Sequence, residues 1–213
     1  MSYNEREQIE WGNYWWENAN QECKRVLLVG DSVTRGYRSA LNRILEEYGY
    51  AVDLCAMSAT VTDELLGKLL NAFFGVEEYT YEYICLQIGG QHGFGKLCCQ
   101  GDAEREKFKV AYRKIALGLK ARCEKFLIIS STPTVLKEDL GKYNTERNRE
   151  ILCRNEIQKE VALEIECPYV DLWEAVLNKG CTHTDYIHFD KEGNQYIAGL
   201  VADALDIKYN NKS

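Results

Sequence analysis

Residues Val26–Tyr37 read VLLVGDSVTRGY: four apolar residues run into Gly-Asp-Ser, and a helix-like stretch follows. A run this short and apolar, ended by a glycine, has the length and composition of a buried strand. Asp and Ser accept hydrogen bonds from the free N–H groups at a helix start. The stretch therefore predicts a strand-turn-helix unit. It also puts the Ser32 hydroxyl where helix N–H groups stabilise developing negative charge.

The same alternation continues along the chain. Ala51–Cys55, Tyr81–Ile88, Phe126–Ile129 and Tyr169-Val170 read as further strands. Helical spacing covers Arg38–Tyr48, the stripe from Leu65 to Phe73, the stripe from Phe108 to Leu119, Asn144–Ile165 and Gly193–Leu205. Apolar strands separated by helices suit a parallel sheet, here of about five strands, covered on both faces: an α/β three-layer sandwich. Ligands bind such sheets beyond the carboxyl ends of the strands. That rule nominates the loops Gly30–Gly36, Ala56–Thr62, Gly89–Gly101 and Ser130–Tyr143, and the segment before the last helix.

With 213 residues and 46% apolar content, residues 25–213 are expected to form one domain, preceded by an aromatic arm over 1–24 that packs on it. A net charge of −7 argues against nucleic acid or an anionic membrane surface as partner. The polar, acidic start is unlike a signal peptide, which points to the cytoplasm. Nine cysteines are present, most scattered singly through apolar patterns, and they read as reduced, buried thiols. The arm contains IEWGNYWW, whose rings suit either packing over the domain, or into a second subunit as a homo-oligomer contact, or a sugar-stacking platform.

Chemistry concentrates at the two ends of the domain. The segment CTHTDYIHFD, Cys181–Asp190, holds two of the three histidines in the chain. A serine hydroxyl is a poor nucleophile until a base within hydrogen-bond reach takes its proton. Imidazole is the usual base, and a carboxylate fixes its tautomer. Asp185-x-x-His188 delivers both from one turn, with Ser32 as the group they would activate.

These residues carry a resemblance. Gly30-Asp31-Ser32-Val33 resembles the first block of the GDSL, or SGNH, hydrolases, and Asp185-x-x-His188 resembles their last block. The resemblance implies a flavodoxin-like α/β/α sandwich and ester hydrolysis through an acyl-enzyme, without metal or other cofactor. By position, Ser32 is the nucleophile, His188 the base and Asp185 its orienter. Oxyanion donors would be the backbone N–H groups of Ser32 and Ala59, plus a side chain from the third block. That block reads Gly89-Gly90-Gln91-His92 where the family has Gly-x-Asn-Asp, so Gln91 takes the asparagine's place, with His92 as alternate. Arg35 and Gly90 are candidate substrate contacts. Gly30 is read as letting the chain leave the strand sharply, and Gly36 as leaving room for substrate.

The resemblance spans acetyl esters on sugars, lysophospholipids, acyl thioesters and simple esters, so the expected partner is a small-molecule or saccharide ester, and an acidic chain with no evident lipid-binding lid favours carbohydrate O-acetyl groups. The altered third block leaves a non-catalytic binding or scaffold domain as the alternative. Two rivals lack required parts. Gly90–Lys96 matches Gly-x-x-x-x-Gly-Lys, but Leu97 stands where a phosphate-binding loop needs Ser or Thr. Cys181, His183, Asp185 and His188 are possible zinc ligands in a spacing that fits no zinc motif.

Overall fold

The computed structural model describes residues 11–59, 61, 64–88 and 98–207. Twelve elements follow in chain order: β1 (Gly12–Trp15), β2 (Lys24–Gly30), α1 (Ser32–Leu45), β3 (Tyr50–Met57), α2 (Glu64–Phe74), β4 (Tyr81–Gln87), α3 (Asp102–Lys120), β5 (Cys123–Ile129), α4 (Thr145–Glu164), β6 (Tyr169–Val170), α5 (Leu172–Lys179) and α6 (Lys191–Leu205). The sheet has six strands in the order β1-β3-β2-β4-β5-β6. All neighbours pair in parallel except β1, which runs antiparallel to β3.

The strands are apolar on both faces because helices cover both. Val26, Leu28, Val52, Leu54, Tyr83 and Leu127 face a core completed by α1, α5 and α6. Leu27, Val29, Cys55, Ile84, Leu86 and Ile128 face the opposite core, completed by α2, α3 and α4. Successive residues of one strand thus feed two separate cores, as the pleat requires. Strand β2 is where the chain turns back on itself. From it the path goes out to β3 on one side and later resumes with β4 on the other. Such a switch point opens a crevice at the carboxyl end of the strand, and Ser32 follows β2 by two residues.

The sixth strand comes from the arm, whose clustered rings mask a two-residue alternation. Tyr14 and Trp16 point inward: Trp16 stacks on Phe73 at 5.0 Å between centroids, and the Tyr14 hydroxyl donates to the Leu69 carbonyl at 2.7 Å. Trp11 and Trp15 point the other way, under the guanidinium groups of Arg35 and Arg38, which are one turn apart on α1. At its far end the arm is pinned by a buried pair. Arg25 contacts Asp53 at 3.0 Å and also donates to the carbonyls of Glu17 and Asn18.

Two glycines act differently from their sequence reading. Gly30 lies within β2, and a side chain there would put Cβ 2.0 Å from the Thr34 hydroxyl and 2.8 Å from the Gln87 carbonyl. It is needed for close approach of α1, not for a sharp exit from the strand. Gly36 leaves no room for substrate, because the space beside it is filled by Asn194 of α6, whose Oδ1 would lie 2.8 Å from an added Cβ.

Cys23, Cys55, Cys85, Cys98, Cys123, Cys153, Cys167 and Cys181 are free thiols. Burial pushes the Cys98 thiol up to about 12 and raises Cys55 and Cys85 further still. Among the described residues no helix is long and apolar enough to cross a membrane.

Candidate active site

Asp31 caps α1, its carboxylate accepting from the Val33 amide at 2.9 Å. That contact fixes the turn and leaves Ser32 as the first residue of the helix, partly exposed at the carboxyl edge of the sheet. Behind it lies a polar contact absent from the sequence reading. Buried Gln87, at the end of β4, accepts from the Thr34 and Tyr37 hydroxyls at 2.9 Å each and donates to the Ser130 carbonyl at 2.9 Å. One amide thus ties α1, β4 and β5 together beneath the serine. A polar residue ending an otherwise apolar strand was the available signal.

On the other side, residues 182–190 fold into a tight loop closed by Asp190 N–H to Thr182 O at 3.1 Å and Thr184 N–H to His188 O at 2.8 Å. Within it the three-residue spacing of Asp185 and His188 has a physical basis. One carboxylate oxygen accepts from the Ile187 and His188 amides, both at 2.8 Å, and so bends the chain back. The other oxygen meets His188 Nδ1 at 2.7 Å. The far ring nitrogen, Nε2, lies 2.7 Å from Ser32 Oγ, across 156 residues of sequence.

This geometry defines the protonation pattern. Nδ1 carries its proton toward the carboxylate, so Nε2 holds a lone pair toward the serine hydroxyl. Burial alone would raise the Asp185 carboxyl, but bonds from the His188 ring and from the His188 and Ile187 amides outweigh it and hold it below the usual carboxylate value.

The remaining sequence candidates fall in three groups. Ala59 is buried just past β3, next to Ser58, whose hydroxyl accepts from the Trp11 amide at 2.8 Å while its own amide donates to the Trp11 carbonyl at 3.0 Å. Arg35 is exposed one turn along α1 from Ser32, with its guanidinium carbon 4.9 Å from the centre of the Trp11 ring. Gly90, Gln91 and His92, and the Gly90–Lys96 stretch as a whole, lie outside the described residues. A groove of about 580 Å³ between α2 and α3, lined by Leu70, Phe74, Ala111 and Ile115 among others, contains none of the candidate residues.

His183 belongs to the scaffold of this loop. Its Nε2 meets the Pro133 carbonyl at 3.1 Å and its ring packs against Phe189, 4.4 Å between centroids. Among the described residues no group of three or more His, Cys, Asp or Glu is arranged to hold a metal ion. Burial lowers the His183 imidazole below its ordinary value, against the upward pull of the Pro133 carbonyl, Asp185 and Asp190. The folded chain therefore keeps this ring neutral, whereas the unfolded chain protonates it from about pH 6.5 downward. The resulting stability is complete above that pH and lost as pH falls toward the lower, folded value. Thermal midpoints measured between about pH 7 and pH 5 should fall more steeply for the native chain than for His183→Gln; equal slopes would count against it.

No protein-family model matches the chain, and no curated protein matches it in sequence. Solved structures do match. The acetylxylan esterase Axe2 from Geobacillus stearothermophilus aligns with a TM-score of 0.61 at 18% identity, over 84% of this chain and 93% of that one. Variants of Axe2 lacking a serine or an aspartate are described as catalytic mutants. LAE5, an alpha/beta hydrolase enzyme from the metagenome of Lake Arreo in Spain, aligns with a TM-score of 0.65 at 18% identity, over 86% of this chain and 95% of that one. For the acetyl xylan esterase AlAXEase the TM-score is 0.64 at 18% identity, over 85% and 99%. At these identities the chain shares with these proteins its fold, the α/β sandwich that the resemblance of its first and last blocks implies.

Proposed function

We propose that the protein is a serine ester hydrolase acting on O-acyl esters of carbohydrates, acetyl groups first among them. The observation that carries the reading is the run Ser32–His188–Asp185, with both contacts at 2.7 Å. His188 Nε2 takes the Ser32 proton as Oγ attacks the ester carbonyl. The tetrahedral intermediate then collapses to an acyl-serine, and the proton passes from Nε2 to the departing alcohol oxygen. Water, deprotonated by the same nitrogen, releases the acid and restores the serine. Asp185 holds the ring and stabilises its cation at each passage.

The developing oxyanion is met by the backbone N–H groups of Ser32 and Ala59, and by the Gln91 amide in our assignment. An amide donates at every pH, whereas a neutral imidazole such as His92 donates from one nitrogen only. Gln91→Ala should lower turnover about 10²-fold with the fold intact, the effect of one lost donor. A silent Gln91→Ala beside a crippled His92→Ala would reassign the donor to the histidine.

Arg35 and Gly90 are assigned to the alcohol side of the ester. Arg35, over the Trp11 ring, is assigned to donate its N–H groups to sugar hydroxyls, and the acetylxylan esterase neighbours support a saccharide there. The decisive assay is acetate release from acetylated xylooligosaccharides and from p-nitrophenyl acetate, set beside p-nitrophenyl octanoate. Turnover of the acetyl substrates well above the octanoyl one is expected. Preference for the long chain would move the substrate class to lipids, and silence toward all three would leave only a binding domain.

A further inference from the structure

The loop after β5 is buried although it is irregular: Ser131, Thr132 and Thr134 are each no more than 2% exposed. Backbone groups sealed from water need partners, and the neighbouring backbone supplies only part of them: the Asn144 N–H donates to Thr134 O at 3.0 Å. Helix α4 does so with two side chains. The Asn155 amide pairs with Ser131, accepting from its N–H and donating to its carbonyl, both at 2.9 Å. The Asn148 amide treats Thr134 in the same way, accepting from its N–H at 2.8 Å and its hydroxyl at 2.9 Å and donating to its carbonyl at 2.9 Å. Seven residues separate the two asparagines, two turns of one helix face. The Asn155 amide does for Ser131 what a neighbouring strand would, and the Asn148 amide adds to the one backbone bond that Thr134 O already accepts from Asn144.

The residues flanking Thr134 then carry the segment that bears the base. Pro133 O meets the His183 ring at 3.1 Å, and Val135 N–H donates to Tyr186 O at 3.0 Å. Tyr186 lies between Asp185 and His188. A chain of hydrogen bonds therefore runs from α4 through one clamped residue to both sides of the Asp185 turn. Asparagine is a poor choice for a helix interior on propensity alone, and it is used here where a backbone had to be paired.

We propose that Asn148, acting through Thr134, is a positioning residue for His188, with Asn155 anchoring the start of the same loop. The proposal rests on the serine-hydrolase reading for its kinetic consequence. A displacement of about 1 Å in a reacting group costs roughly 10²-fold in rate. Because the shift would spoil the His188–Ser32 contact and not the surface that receives substrate, it should enter kcat and spare KM.

Asn148→Asp tests this. It preserves shape and acceptors, but cannot donate to Thr134 O and sets a carboxylate against that carbonyl. We expect kcat for p-nitrophenyl acetate to fall about 10- to 100-fold, with KM unchanged within about twofold. Proton NMR supplies a readout independent of turnover: the downfield His188 Nδ1–H resonance, expected to be sharp in the native chain from its 2.7 Å contact with Asp185, should broaden or vanish. Thr134→Val, which deletes one bond of the clamp, is the milder variant should Asn148→Asp not fold, with a loss of a few-fold in kcat and the same broadening. Unchanged kcat together with an unchanged resonance in the folded variant would overturn the positioning role. A native chain that hydrolyses no ester would instead refute the hydrolase reading, and the resonance would still report whether Asn148 orders the ring.

Discussion

Ser32→Ala is expected to remove ester hydrolysis almost completely, with turnover of p-nitrophenyl acetate falling on the order of 10⁴- to 10⁶-fold. The variant deletes one exposed oxygen at the start of α1. It leaves the Asp31 cap and the buried Thr34–Gln87 contact in place, so the fold should be undisturbed. What disappears is the only hydroxyl that His188 Nε2 meets among the described residues. In the proposed mechanism, removing the base costs nearly as much as removing the nucleophile, because the groups act as a unit, and His188→Ala combined with Ser32→Ala should add little. A residual rate above water from the oxyanion donors is compatible with this mechanism. Retention of more than about a hundredth of native turnover in Ser32→Ala is not, and would mean that another group attacks the ester.

The second large effect concerns stability. Asp53→Ala should destabilise the chain by about 3–5 kcal/mol, since it strands the Arg25 guanidinium in the interior. Arg25 is 3% exposed and Asp53 fully buried, and the carboxylate also accepts from the Tyr81 hydroxyl and the Glu17 amide. For a chain of this size, such a loss lowers the thermal midpoint by roughly 6–20 °C, readable by calorimetry. Burial pushes the Asp53 carboxyl upward, against the downward pull of the Glu17 amide, Arg25 and Tyr81; taking two charges out of water carries a desolvation cost that their attraction commonly does not exceed. Replacing both partners by apolar residues, as in Arg25→Met with Asp53→Leu, removes the stranded charge and should recover part of the loss, the Tyr81 hydroxyl, the Glu17 amide and the Glu17 and Asn18 carbonyls having lost these partners. A small effect of Asp53→Ala would mean that water reaches the pair.

The architecture was legible because its signal is local. Apolar runs such as Val26–Val29 and Tyr83–Leu86 admit few readings, and helices α2, α3 and α6 carry stripes. The pairing of Ser32 with His188 was legible through topology, which sends both to the carboxyl edge. Other parts depend on contacts that sequence does not encode locally. Helix α4 turns polar residues inward, so its buried face looks like a surface. Strand β1 is short and alternates only once its partner β3 is known. The role of Gly36 depends on Asn194, distant in sequence, and the Gln87 amide matters only after α1 and β5 are beside it.

Strand β1 also bears on how copies of this chain can meet. A long, flat sheet edge is a template on which a second molecule can add its own strand. Here the outer side of β3 is already occupied by residues 12–15 of the same chain. At the opposite margin β6 covers only Ile128 and Ile129 of β5, and the open remainder carries exposed Glu124 and Lys125, charges that repel an incoming apolar strand. The sheet thus ends in the four-residue strand β1 at one margin and in the two-residue β6, beside charged positions of β5, at the other. So little free backbone at either margin disfavours strand addition by a second copy.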